Sequence, residues 1–147
     1  EEVARAAGVS KALVYSYFPS KAALLAALLL REYTSLEAQA RAAAKGADGL
    51  DALIRRTTRA YLDQVVTRGP LIQRLLGEPR AAAALRDVGG ESRAATVGFF
   101  ARAITREHGL APERAATVAD LLMGLTGAAG DHLLRAGGDV DEVEDMV

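Results

Sequence analysis

Val3–Lys21 reads VARAAGVSKALVYSYFPSK, and its reading decides the fold. Two short helices, Glu1–Ala7 and Lys11–Phe18, flank a tight turn at Gly8-Val9-Ser10. Gly8 supplies the positive φ that a sharp turn requires. Ser10 is a good N-cap for the second helix. Ala4, four residues before Gly8, is small enough to let the two helices cross closely. Val3, Ala7, Val9, Val14 and Phe18 supply an apolar seam. Val14 and Phe18, four apart, share one helix face. This is the layout of a helix-turn-helix, whose second helix enters the major groove of DNA.

The outward positions then read as contacts to duplex DNA. Lys11 lies in the first turn, within reach of phosphate or a guanine edge. Ser16 offers a hydrogen bond to a base edge, and Ala12 and Leu13 offer apolar contact to thymine methyl groups. Tyr15 and Tyr17 carry hydroxyls on rigid arms suited to phosphate oxygens. Lys21 opens the next helix beside Ser20, where a cation and free backbone N–H groups make a phosphate clamp. The opposing reading is a plain packing motif with structural tyrosines. Against it, Tyr15, Tyr17 and Phe18 cannot all face one side of a single helix.

The run AGVSKALVYSYFPSKAALL resembles the signature of the TetR family of transcriptional regulators. The resemblance rests on Gly8, Val9, Ser10, Tyr15, Tyr17, Phe18, Ser20 and Lys21. Ala12, Leu13 and Ala22 stand where the family more often has glycine, threonine and glutamate, which bears on base preference. The resemblance implies an all-α protein: a helix-turn-helix domain at residues 1–22, its first helix ahead of Glu1, and a helical effector-binding and dimerisation domain at 23–147. It also implies a ligand-responsive repressor, a homodimer that binds a near-palindromic operator and changes its recognition-helix spacing when a small molecule binds. Whether ligand weakens or strengthens DNA binding stays open.

The rest of the chain is helical in pattern, with no sustained period-two alternation. A long helix runs from Lys21 to about Lys45 and another from Leu50 to Arg68. Breaks are expected at Gly46–Gly49, at Gly69-Pro70 and at Gly89-Gly90, with short helices after Pro70 and after Pro79. A helix from Glu91 to His108 ends at Gly109, and Pro112 opens one that reaches Ala136. A last helix begins near Val140.

The long C-terminal helix suggests self-association. From Thr117 to Ala136 its only formal charges are Asp120, Asp131 and Arg135. Leu121, Leu122, Leu125, Ala129 and Leu133 form an apolar face, and Gly124, Gly127 and Ala128 form a small-residue stripe that lets a second backbone approach. A helix apolar over most of its circumference is buried on more than one side. The expected dimer interface is Asp120, Gly124, Gly127, Ala128 and Asp131, the alternative being packing within one subunit. A ligand cavity is expected among Thr57, Tyr61, Gln64, Val65, Phe99, Phe100, Ala103, Leu122 and Met123, apolar with a few polar groups, as such sites usually are.

Composition narrows the alternatives. The 147 residues are 50% apolar and 25% charged, with net charge −1 and no cysteine. Disulfides, thiolate metal sites and cysteine catalysis are excluded. Residues 1–31 carry +2, whereas Asp139–Val147 carry −5, an acidic tail expected to be a solvated face. The longest apolar run, Ala22–Leu30, is shorter than the roughly 20 residues a bilayer requires, so a cytoplasmic protein is expected. No phosphate-binding glycine loop, nucleophile elbow or zinc motif is present, so neither an enzyme nor a cofactor or metal is expected. His132 reads as a core residue, and Asp131 with Arg135 as a helical pair. A helical interaction protein that keeps the fold without binding DNA is the rival reading.

Overall fold

The computed structural model describes residues 1–77 and 79–147, and all their side chains but those of residues 76, 80–82, 84–89 and 91. Among the described residues the chain is all-helical: α1 (Glu2–Ala6), α2 (Lys11–Tyr17), α3 (Lys21–Ala44), α4 (Gly49–Leu76), α5 (Pro79–His108), α6 (Pro112–Ala136) and α7 (Val140–Asp145). α4 is the central element of the body and packs on α3, α5, α6 and α7. Among the described residues α1 and α2 have no substantial packing on α3–α7, so the N-terminal helix pair is joined to the body through its chain connection to α3. Among the described residues no single helix is long and apolar enough to cross a membrane.

Two apolar clusters hold the body. The first joins Leu50 and Leu53 of α4, Ala101, Ala103 and Ile104 of α5, and Ala115 and Ala119 of α6. The alanines let the three helices approach closely, and Ile104 fills the space between them. The second joins Leu62 of α4, Ala129 and Leu133 of α6 and Val143 of α7. The N-terminus of α4 is closed by a residue far away in sequence: the backbone N–H of Leu50 donates to Glu107 at the end of α5, at 2.7 Å. A carboxylate there satisfies an orphan donor and suits the positive end of the helix dipole.

Two expected breaks are absent. α4 runs without interruption through Gly69-Pro70. Pro70 removes the N–H that would reach the carbonyl of Val66. Both residues lie on the exposed side of the helix, where water can satisfy that carbonyl. Gly69 serves proximity instead of chain reversal: a Cβ on it would fall 2.4 Å from Cδ2 of Leu134 in α6. α5 likewise continues through Gly89-Gly90, and Pro79 opens a helix of 30 residues. The expected ends at Gly109 (φ +65°) and Gly137 (φ +72°) are present.

Other expectations also need correction. The tail acids are exposed as expected, save half-buried Glu144, but the tail itself is docked. α7 seats Val143 in the second cluster, and Arg59 of α4 pairs with Asp141 and Glu144 as well as Asp63. These carboxylates, Asp141 foremost, raise the pKa of the Arg59 guanidinium. His132 is exposed, not in the core. The apolar residues of α6 do not share one face: Ala129 and Leu133 are buried, whereas Leu121 and Leu125 are exposed. The Asp131–Arg135 pair forms, at 4.0 Å.

Candidate functional site

The N-terminal pair is built by local chemistry. Gly8 takes φ +66°, and the N–H of Val9 donates to the carbonyl of Ala4 at 3.0 Å, closing the turn. Ala4 is the buried residue of α1. Ser10 caps α2, its Oγ accepting from the N–H of Leu13 at 3.1 Å. Phe18 leaves the helix in an extended conformation and ends it. Ser20 repeats the device for α3, accepting from Ala23 at 3.1 Å. The axes of α2 and α3 diverge by 66°, so α2 stands out from the long helix that follows it.

α2 is two-faced. Val14 and Phe18 are half-buried. Lys11, Ala12, Leu13, Tyr15, Ser16 and Tyr17 are exposed, as are Ser10 and Lys21 beside them. Tyr17 is 74% exposed, more than Tyr15 or Leu13. Lys11 lies 6.0 Å from the centre of the Tyr15 ring and 3.9 Å from the Glu1 carboxylate. The Ser16 hydroxyl donates to the carbonyl of Leu13 at 2.7 Å, and its lone pairs remain available to a donor. The result is a short rod with one apolar side held inward and hydroxyls, methyl groups and two cations outward. Such a surface suits phosphate oxygens and base edges. Three members of the expected apolar seam, Val3, Ala7 and Val9, are exposed, whereas Ala4 is buried and Val14 and Phe18 are half-buried.

The nine residues expected to line a cavity fall into different neighbourhoods. Phe100, Ala103 and Leu122 meet in the first apolar cluster, whereas Tyr61 belongs to the second, packed against Gly130. Thr57 is buried and its hydroxyl donates back to the carbonyl of Leu53 at 2.7 Å. Gln64 is buried against α3: its side-chain oxygen accepts from Gln39 at 3.0 Å and its Nε2 has no partner. Val65 and Met123 are half-buried. Phe99 is exposed and meets Phe100 edge-on, with ring centres 5.4 Å apart. A separate surface hollow of about 480 Å³ is lined by Ala43, Arg55, Arg56, Arg59, Ala60, Asp63 and Glu144, none of them among the nine.

Along α6 the expected interface residues Asp120, Gly124, Ala128 and Asp131 are exposed and Gly127 is half-buried. Nothing lies within 4 Å of where a Cβ would stand on Gly124 or Gly127. Asp120 is held by Arg93 of α5 at 2.7 Å. Leu121, at 68% exposure, and Leu125 flank the stripe.

Sequence reasoning missed Glu32, which is 2% exposed in the seam between α3 and α4. The spacing carried a signal: Glu32 continues the stripe of Leu25, Leu29 and Leu36 on the buried side of α3.

Comparison with curated proteins gives no match. Residues 1–28, which span α1, the turn, α2 and the first two turns of α3, match the family model of bacterial regulatory proteins, tetR family. With that match on an N-terminal helix-turn-helix and an all-helical body behind it, the chain is similar over its first 28 residues to the DNA-binding part of tetR-family regulatory proteins.

Proposed function

We propose that the protein is a transcriptional repressor that acts as a homodimer on a near-palindromic operator and responds to a small molecule, in the cytoplasm. The observation that carries the reading is the outward face of α2: Lys11, Ala12, Leu13, Tyr15, Ser16 and Tyr17 are all exposed while Val14 and Phe18 turn inward. In this reading Ala12, Leu13 and Ser16 meet base edges, while Ser10, Lys11, Tyr15, Tyr17 and Lys21 hold the flanking phosphates.

Dimerisation follows from the need for affinity. A domain that brings so few cations to the duplex gains from doubling its contacts. Two recognition helices in successive major grooves would lie about 34–36 Å apart. The face of α6 around Leu121, Gly124, Leu125 and Ala128 supports the pairing, because its glycines open onto free space between exposed leucines. The effector site is assigned to the body around Thr57, Tyr61, Gln64, Val65, Phe99, Phe100, Ala103, Leu122 and Met123. A ligand there changes DNA binding only by preferring one arrangement of the two recognition helices over another.

The test is electrophoretic binding to the gene's own upstream region, with and without candidate metabolites. Tyr17→Ala and Lys21→Ala in the full-length protein should each weaken binding while leaving helicity unchanged. Operator affinity unmoved by either substitution would favour the non-DNA interaction protein.

A further inference from the structure

Glu32 is a carboxylate almost sealed from solvent, its side chain 1% accessible, between α3 and α4. Two arginines reach it. Arg31 Nη2 donates to Oε1 at 3.1 Å. Arg68 of α4 brings Nη2 to 3.4 Å from Oε1 and Nε to 3.1 Å from Oε2. The Nε–H is not aimed at Oε2, which is left with no hydrogen bond, so charge attraction alone holds that contact. About two turns further along α3, Gln39 donates to the buried Gln64 at 3.0 Å.

Only the carboxylate is buried, since the Arg68 side chain is 44% and the Arg31 side chain 68% exposed; such a pair is a weak stability device, because the cost of desolvating the carboxylate offsets much of the attraction. Its distinctive property is geometric. Arg68 reaches both carboxylate oxygens, one by a hydrogen bond and one by charge attraction, and a planar guanidinium set so favours one register, whereas methylenes tolerate sliding. The location gives that property a use. The N-terminal helix pair is joined to the body through α3, and Glu32 sits about three turns beyond the Ser20 cap, one turn past Leu29, where α3 first becomes fully buried. Arg68 also adjoins Gly69, against which Leu134 of α6 is pressed.

We propose that Glu32 is a positioning residue: clasped by Arg68, it sets the angle at which α3 holds the recognition helix relative to the body. The clasp selects one half-site separation and contributes little to folding. The proposal rests on the operator-binding reading above.

The experiment uses the full-length protein and duplexes that the wild type selects from a random pool. Binding is then measured on a series in which base pairs are added or removed between the half-sites. Glu32→Met with Arg68→Met should keep its helicity and melt no lower than the wild type. Its affinity for the selected spacing should fall about tenfold, a size usual for coupled sites, and its preference among spacings should flatten. A variant with wild-type affinity and wild-type spacing preference overturns the proposal. Should the double variant fail to fold, Arg68→Lys keeps the charge and removes the fork, and the same two outcomes apply to it. A wild type that selects no duplex fails the operator reading and takes the proposal with it. A sharply spaced wild type with an unaltered variant fails the proposal alone.

Discussion

Tyr61 occupies the place that a side chain on Gly130 would need: its Cε1 and Oη each stand 2.9 Å from that Cβ position. Gly69 and Leu134 repeat the relation in the opposite sense, at 2.4 Å, so α4 and α6 each receive a side chain of the other over a glycine. The two sites should answer differently to alanine. Leu134 meets Gly69 with the tip of a flexible chain that can move aside, whereas the Tyr61 ring is stiff. Gly130→Ala should therefore destabilise by about 1–3 kcal/mol despite its better helix propensity. Gly69→Ala should be close to neutral. Urea unfolding of the two variants checks the order.

The same tyrosine links stability to alkaline pH. Burial raises the Tyr61 pKa above its usual 10.0, with Asp131 adding to the effect. A phenol whose pKa is higher folded than unfolded holds its proton better when folded. Its contribution is full below about pH 10 and is lost as pH rises through the folded value. Stability should thus decline between pH 9 and pH 11, and Tyr61→Phe should lose less over that interval. Denaturant midpoints at the two pH values measure it.

The apolar face of α6 gives a third expectation. Leu121 is exposed, so Leu121→Glu should leave the isolated chain within about 0.5 kcal/mol of the wild type. If that face meets a second copy, the same change buries two unpaired carboxylates and abolishes association. Sedimentation at micromolar concentration should show the wild type as a dimer and Leu121→Glu as a monomer. A wild type that sediments as a monomer removes the dimer from the proposed function.

The docking of α7 rests on Val143 and on the Arg59 pairs with Asp141 and Glu144. Arg59→Ala should raise amide exchange in residues 140–145 and leave α3 unchanged. Because Arg59 and Asp141 are open to solvent, added salt should have a similar but weaker effect on the wild type.

How far the sequence reveals this molecule depends on where the deciding physics lies. The turn at Gly8 and the caps at Ser10 and Ser20 are local: a positive φ and a hydroxyl three residues before an N–H can be read within one short stretch. Gly69 misleads because a glycine marks either a break or a close approach, and only the partner distinguishes them, while Gly90 stands in an unbroken helix with open space beside it. For Gly69 that partner is Leu134, 65 positions away. Glu32 escaped notice because an acidic residue on a long helix reads as solvated, and its burial depends on Arg68 and the packing of α4. The expected cavity residues show the same limit. Periodicity places Tyr61 and Phe100 on inward faces, but assigning them to different apolar clusters requires the crossing of α4, α5 and α6.

α3 also has the proportions of a lever. From Ser20 to Glu32 it rises about 18 Å at 1.5 Å per residue. A tilt of about 10° about the Glu32 fulcrum would carry the tip sideways by about 3 Å, close to the 3.4 Å step between stacked bases. A displacement too small to disturb the packing around α4 is therefore large enough to put the tip one base pair out of place on the duplex.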